Sequence, residues 1–473
     1  MTPTPTIAPA GAGAPAAGAL WRLELTETVK LALPMAATQL GQIAMFTTDL
    51  ALLGRLGDHV VAAAALSHTI LFVAFTVGMG LVSAVAPLAA QAYGARTPRM
   101  LRRSVRVGLW AATLVGVPFT IAQFWGEDIL LALGQAPEAA ELAARYLLGL
   151  CWSLLPAWWF MVLRNFMSAV NKPEPALWIT LVAIPLNAVV AYALIYGHFG
   201  LPRLDMLGAG LATTMVNLFM CAAAIWVAYT RHPFKKFRVL GRFWRFDWPL
   251  FTKLLAIGLP ISGAFVLEYG LIASAALLMG RIGITAIAAH QIALQVAAIL
   301  FMVPFGISMA ATVRVGHAVG RRDSEGTRRA GFTAIGLAIV FMTVMTIVVA
   351  LTRHVIPLLF LGGAAASAQE TVALAATLLV LGATFFIADG AQTVAAGALR
   401  GLNDTRVPLL IAVLSFWIIG FTSSYCFAFP LGFGAIGVWI GLSVGTCVFA
   451  VLLLWRFHAL TRAHYMPAVP STS

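Results

Sequence analysis

Charge is the scarcest property of this sequence. Only 10% of its 473 residues are Asp, Glu, Lys or Arg, where a soluble domain carries about 25%. Acids are rarer than bases, 17 against 30. Cysteine is nearly missing too: Cys151, Cys221, Cys426 and Cys447 lie in apolar runs without metal-ligand spacing. They read as small apolar residues, which excludes a disulfide framework or a zinc site. There is no GxxxxGK[ST] phosphate loop, so ATP does not act on this chain by that route, and no HExxH or Cys/His cluster marks an enzyme.

What the chain has instead is apolar length. Hydrophobic residues make up 61% and mean hydropathy is +0.93. Runs of the roughly 20 residues needed to cross a bilayer fall at 29–54, 60–86, 104–126, 142–163, 176–197 and 208–230. Six more follow at 254–280, 286–312, 330–351, 371–399, 407–430 and 434–457. Long, continuously apolar runs exclude a barrel, whose strands alternate over about 10 residues. The expected fold is an all-α polytopic membrane protein with twelve transmembrane helices.

The basic residues then set an orientation. With both termini cytoplasmic, that side receives 25 of the 30 Lys and Arg, including Arg400 and Arg406 between the tenth and eleventh runs. The other side receives Arg55, Arg145, Arg203, Arg281 and Arg353. This asymmetry follows the positive-inside rule, so the pI of 10.2 expresses topology and contact with anionic lipid, not nucleic-acid binding. The first 20 residues are rich in Ala, Pro and Gly and carry no charge. Without a basic start they read as a tail, not a signal peptide.

The chain is also written twice. A shift of 226 lays Pro34 on Pro260, GRLG (54–57) on GRIG (280–283), Phe75 on Phe301 and Gly80 on Gly306. It further lays Gly94 on Gly320, Arg102-Arg103 on Arg328-Arg329, and Gly208 on Gly434. Six helices separate the copies, an even number, so the copies share one orientation and are related by a pseudo-two-fold axis along the membrane normal. The expected division is a tail at 1–27, an N-lobe at 28–230, a basic linker at 231–253, a C-lobe at 254–458 and a second tail at 459–473. In two-lobed transporters of this kind the substrate site lies near the midplane between repeats.

Three acids sit inside apolar runs: Asp49, Glu268 and Asp389. A charge at the bilayer centre costs roughly 2.5–3.5 kcal/mol even on lenient scales, so such residues face a cavity or a partner. Glu268 and Asp389 have no local basic partner, whereas Asp49 either serves transport or pairs with nearby Arg55. Asp389 shares a helix face with Phe385, Phe386, Gln392 and Thr393, and Tyr269 follows Glu268. The 226 shift lays Gln42 on Glu268, so the ionisable chemistry leans toward the C-lobe. Buried carboxylates of this kind bind a proton, help coordinate sodium, or attract an organic cation whose body rests on aromatic rings. Competition among these yields antiport. His290 is either a proton relay or a packing histidine, and Asn187 either a cavity amide or a helix contact. Trp158, Trp159 and Phe160 wall a cavity or face lipid.

Several stretches resemble one family. LALPMAATQLGQIAMFTTDLALLG (31–54), PLAAQAYGA (87–95), LRNF (163–166), LEYGLI (267–272), AAHQIALQ (288–295), RVGHAVG (314–320) and DGAQTVAAGALRGLND (389–404) resemble the multidrug and toxic compound extrusion (MATE) family, in its NorM-like bacterial branch. The resemblance spans about residues 22–457. It implies a monomeric exporter of cationic or amphipathic drugs in the bacterial inner membrane, without a cofactor, coupled to Na+ or H+. It implies a coupling site at Glu268 and Asp389, which would also hold Na+ if sodium drives transport, with Asp49 in a second site. It places Gln42 and Gln291 along the substrate cavity, to which the reading of helix faces adds Tyr269, Phe385, Phe386, Thr393 and Asn187. The branch has a tyrosine where Phe385 stands, and the missing hydroxyl leaves the choice of ion open. A lipid-linked precursor flippase of the same superfamily should show several basic residues at midplane depth, and only Arg164 qualifies. A polytopic membrane enzyme should cluster its acids or histidines near the interface, which this chain does not.

Overall fold

The computed structural model describes residues 17–362 and 369–467. Among the described residues every expected run falls on helix, in this order. In the first half, α1 is Ala17–Gly54 and α2 is Asp58–Ser83, extended by Val85–Gly94. Next come α3 at Pro98–Ala122 and α4 as Pro137–Leu150 and Leu154–Ala169, bent by 46°. The half ends with α5 at Glu174–Tyr196 and α6 at Asp205–Thr230. In the second half α7 is Trp248–Ile282, α8 is Ile284–Gly320 and α9 is Ser324–Thr352. Then follow α10 at Gln369–Gly401, α11 as Arg406–Ala412 running on through Val413–Phe421 to Thr422–Ala428, and α12 at Gly434–Arg462. By length and composition ten helices can cross a membrane, and the bent α4 makes eleven. The remaining one, α1, carries Thr38, Gln39, Gln42, Thr47 and Thr48 along its length, which dilutes its hydropathy.

Helix ends follow local chemistry. Asp247 accepts from the Leu250 N–H at the start of α7, and Asp323 accepts from the Gly326 N–H at 2.7 Å at the start of α9, satisfying donors the helix cannot satisfy itself. The outer surface stays apolar: Leu33, Leu277, Ile284, Leu351 and Leu410 are exposed, as lipid-facing side chains must be. Two boundaries differ from expectation. Helix α1 already begins at Ala17, inside the segment read as a tail, where Arg314 of α8 grips Glu24 through two hydrogen bonds of 2.8 Å. The linker is not featureless either: it contains a short helix at Phe234–Phe237, and its Phe243 stacks on Trp110 of α3. Residues 1–16 and 468–473, parts of the expected tails, lie outside the described residues.

The repeated glycines prove to be where the lobes touch. A β-carbon on Gly80 would come within 2.5 Å of the Ser262 backbone, and one on Gly306 within 2.5 Å of the Ala36 backbone. Ser262 and Ala36 are themselves 226 positions apart, so these are two copies of one contact. Gly94 and Gly320 form a second symmetric pair, lying against the backbone oxygens of His317 and Gln91. Polar bonds reinforce the same end of the molecule. Gln91 donates to the Gly401 carbonyl and accepts from Asn403. His317 Nε2 lies 2.7 Å from the Ala169 carbonyl, and Ser262 donates to the Val77 carbonyl. The lobes are therefore clasped at the end carrying the α2–α3, α4–α5, α8–α9 and α10–α11 connections.

Candidate functional site

Helix α10 carries its acid into the interior of the C-lobe. Asp389 is 7% exposed, and Gln392, Thr393, Ala396 and Arg400 continue along the same side at three- and four-residue steps. Glu268 approaches from α7. One side chain joins the two acids: Gln392 Nε2 donates to Glu268 Oε1 at 2.8 Å and to Asp389 Oδ1 at 2.8 Å. An amide NH2 has two hydrogens, and each acid takes one. The other end of that amide, Gln392 Oε1, is buried without a partner. The site thus offers two carboxylates and a free neutral oxygen at one point. In a low-dielectric surround such a pair repels itself strongly, and a bound cation or proton relieves the repulsion. Among the described residues no group of three or more His, Cys, Asp or Glu could hold a metal, so any ion here rests on the two acids and neutral oxygens.

Glu268, Gln392 and Thr393 line a cavity of about 40 Å³, space for a few waters or a small ion but not for a drug. Arg400 lines it too, its guanidinium stacked 4.9 Å from the centre of the Phe265 ring. Counting Arg400 among the loop cations missed this. Its Cα lies at the helix end, but helical side chains tilt toward the N-terminus, and that carries the guanidinium back into the lobe. Nearby Asp404 also lines the cavity, and it is paired with Arg456 of α12 at 2.8 Å.

Phe385 and Phe386 do not offer the open ring surface expected of them. They are 7% and 1% exposed and meet Trp439 of α12 edge-on. Helical spacing placed them beside Asp389, but in this conformation that face of α10 packs inside the lobe. Trp439 also donates to His290 Nδ1 at 3.1 Å, and His290 is fully buried, its Nε2 without a partner among the described residues. The aromatic surface between the lobes is made instead by Tyr269, whose ring lies 4.3 Å from that of Phe72 on α2. Phe72 was not singled out from the sequence, although a ring at the depth of Glu268 on the facing lobe was the signal to seek. Gln42 is half-buried on α1, and Gln291 is exposed on α8.

The N-lobe has its own polar centre. Asp49 accepts from Asn187 Nδ2 at 2.7 Å and from Thr213 Oγ1 at 3.2 Å, drawing α1, α5 and α6 together. Its partners are thus two neutral donors, not Arg55, and Asn187 makes a helix contact through the acid. Trp158 and Phe160 are fully packed in the N-lobe and face neither cleft nor lipid, while half-buried Trp159 donates to Thr113 of α3. Arg164 is also buried there, donating to Gln39 Oε1 at 2.7 Å. Arg164 of the N-lobe and Arg400 of the C-lobe stand apart in different lobes.

Comparison with known proteins agrees with this architecture. A family model described as MatE matches residues 34–193 and 260–426, two segments whose starts differ by the same 226 positions. The chain is 62% identical over 460 residues to a probable multidrug resistance protein NorM of Rhodopseudomonas palustris, covering 97% of each. It is 39% identical over 436 residues to the multidrug resistance protein NorM of Burkholderia vietnamiensis, covering 92% of this chain and 94% of that one. Among solved structures, an outward-facing multidrug resistance MATE family transporter superposes with a TM-score of 0.84 at 20% identity, over 94% of this chain and 97% of that one. The eukaryotic MATE transporter AtDTX14 gives 0.82 at 22% identity, over 94% and 98%. By its two lobes, its repeat and these relatives, the chain belongs to the MatE family, a membrane transporter and not an enzyme.

Proposed function

We propose that this protein is a multidrug efflux transporter that works as a cation-coupled antiporter, exporting cationic or amphipathic organic compounds by alternating access. The observation that carries this reading is the Gln392 amide, which holds Glu268 and Asp389 together inside a membrane-spanning lobe. A positively charged drug is held between the lobes near Tyr269 and Phe72, within the field of the ionised pair. Entry of Na+ or H+ at Glu268 and Asp389 cancels that field, and the drug leaves outward. The lobes then rock about their glycine contacts, and the ion is released to the cytoplasm. The clasped end carries the basic connections, so it is the cytoplasmic end, both chain termini lie on that side, and this conformation faces outward. The protein acts as a monomer in the bacterial inner membrane.

Ethidium efflux from membrane vesicles, driven by sodium and proton gradients imposed separately, tests the reading: one gradient drives efflux, and failure of both refutes it. From its two neutral donors we infer that Asp49 supports the N-lobe under this scheme, in place of the second coupling site that the resemblance implies. Asp49→Asn is expected to cost about 1.5–3 kcal/mol of stability through loss of charge-assisted bonds, while efflux continues at a reduced rate. Complete loss of efflux in well-folded Asp49→Asn protein would move the coupling site to the N-lobe.

A further inference from the structure

The cavity beside the carboxylate pair contains a cation that the transport scheme above does not use. Arg400 lines the same cavity as Glu268 and Gln392, yet among the described residues no carboxylate forms an ion pair with it; its guanidinium rests on the Phe265 ring. Phe265 is one helical turn before Glu268 on α7, so the guanidinium stands about one turn, roughly 5 Å, along the helix from the Glu268 level. Arginine holds its proton in every protein environment, so this positive charge is permanent.

The charges around the cavity can be summed. Glu268 from α7 and Asp389 from α10 contribute two negative charges when ionised. Asp404, in the turn after α10, is matched by Arg456 of α12. From α8 the neighbouring titratable group is His290, whose Nδ1 is held by Trp439. Lys253 lies near the start of α7, four turns from Glu268. Arg406 is exposed at the start of α11. What remains is the ionised pair against Arg400, a net charge of minus one.

We propose that Arg400 is a built-in counter-charge that sets the exchange stoichiometry: with one of the two negative charges already balanced, the pair takes up a single monovalent cation. Arg400 is a positioning residue in this role, acting on drug and ion through Glu268 and Asp389. One bound Na+ or H+ then brings the cavity to neutrality, and one singly charged drug does the same from the cleft. Exchange of one for one leaves the site's charge unchanged through the cycle. Stacking on Phe265 keeps the guanidinium close enough to act through the field while leaving the carboxylate oxygens free for the ion. The inference rests on the antiport reading.

The test counts ions displaced per drug bound. Purified full-length protein in lipid nanodiscs is titrated with decamethonium, a doubly charged organic cation able to replace up to two bound monovalent ions, at low buffering. Released protons are followed with a pH indicator and released sodium with a sodium-sensitive dye. The wild type is expected to release about one ion per bound decamethonium, because its cavity holds only one, and R400Q about two, because both carboxylates then carry an ion that the two charges replace. R400K restores a count of about one, since it returns the charge. The double variant E268Q/R400Q also returns to about one, having lost one charge of each sign, and it carries the test if R400Q alone fails to fold. An equal count in wild type and R400Q, or a count of two in the double variant, overturns the role of Arg400. Binding of decamethonium by the wild type without release of either ion overturns the antiport reading itself.

Discussion

Asp389→Asn is expected to give a folded, membrane-inserted protein that exports no drug. Asparagine keeps the shape of the side chain and an oxygen for the Gln392 amide, so the packing of α10 against α7 survives. What goes is the charge. Removing one carboxylate takes away a buried charge contact to the bound cation, a loss of about 2–5 kcal/mol, which corresponds to about thirtyfold or more in affinity for a cation. Glu268→Gln should behave alike, because each acid takes one hydrogen of the same NH2 group. The check is ethidium efflux from cells lacking other pumps, with the amount of protein in the membrane measured alongside. Normal efflux by Asp389→Asn at normal abundance would remove this site from the mechanism.

Replacing both Gly80 and Gly306 by alanine is expected to open the clasped end. Each new methyl would stand about 2.5 Å from the backbone of the opposite lobe, at Ser262 and at Ala36. Backbone cannot step aside as a flexible side chain can, so the lobes must separate. Overpacking of this kind costs about 1–3 kcal/mol, and that shifts a two-state equilibrium by about 5- to 150-fold. The helices themselves are not weakened, since alanine is the better helix former. Spin labels on the exposed residues Arg96 and Arg322, beyond the ends of α2 and α8, should report a longer distance in the double variant. Drug efflux should fall with it. An unchanged distance would mean that the lobes do not pivot on these contacts.

Much of this was legible beforehand, and the reasons are physical. A glycine match at a constant offset survives only where a side chain cannot fit, and Gly80, Gly306, Gly94 and Gly320 are such places. Mid-helix acids announce themselves because lipid does not tolerate them, and Glu268 and Asp389 do meet. The joining atom was harder to foresee. Gln392 was visible as a neighbour of Asp389, but that its amide spans two helices depends on how α7 packs on α10. Arg400 was misplaced because a topology count follows Cα positions, while a long side chain can return its charge to the interior. Phe385 and Phe386 show the complementary limit: spacing along one helix gives the face but not what covers it, and Trp439 comes from a helix fifty residues further on. The same limit applies to Trp158, which fills the N-lobe.

The missing hydroxyl at Phe385 takes on a different meaning in this packing. The Phe385 ring meets Trp439 at 5.6 Å between centres, among aromatic neighbours, while the unpartnered Gln392 Oε1 supplies a neutral oxygen beside the acids. Under the antiport scheme proposed above, the choice between Na+ and H+ would rest on the oxygens gathered around Glu268 and Asp389, the Gln392 oxygen among them, and not on position 385 alone.

The most direct test of ion-coupled antiport at the carboxylate pair runs the exchange in reverse. Purified protein is placed in sealed liposomes with no ion gradient, and a gradient of tetraphenylphosphonium is imposed alone. The account predicts an uphill flow of Na+ or H+ opposite to the drug in the wild type and none in Asp389→Asn. Drug movement without ion flow in the wild type, or equal ion flow in the variant, would contradict it.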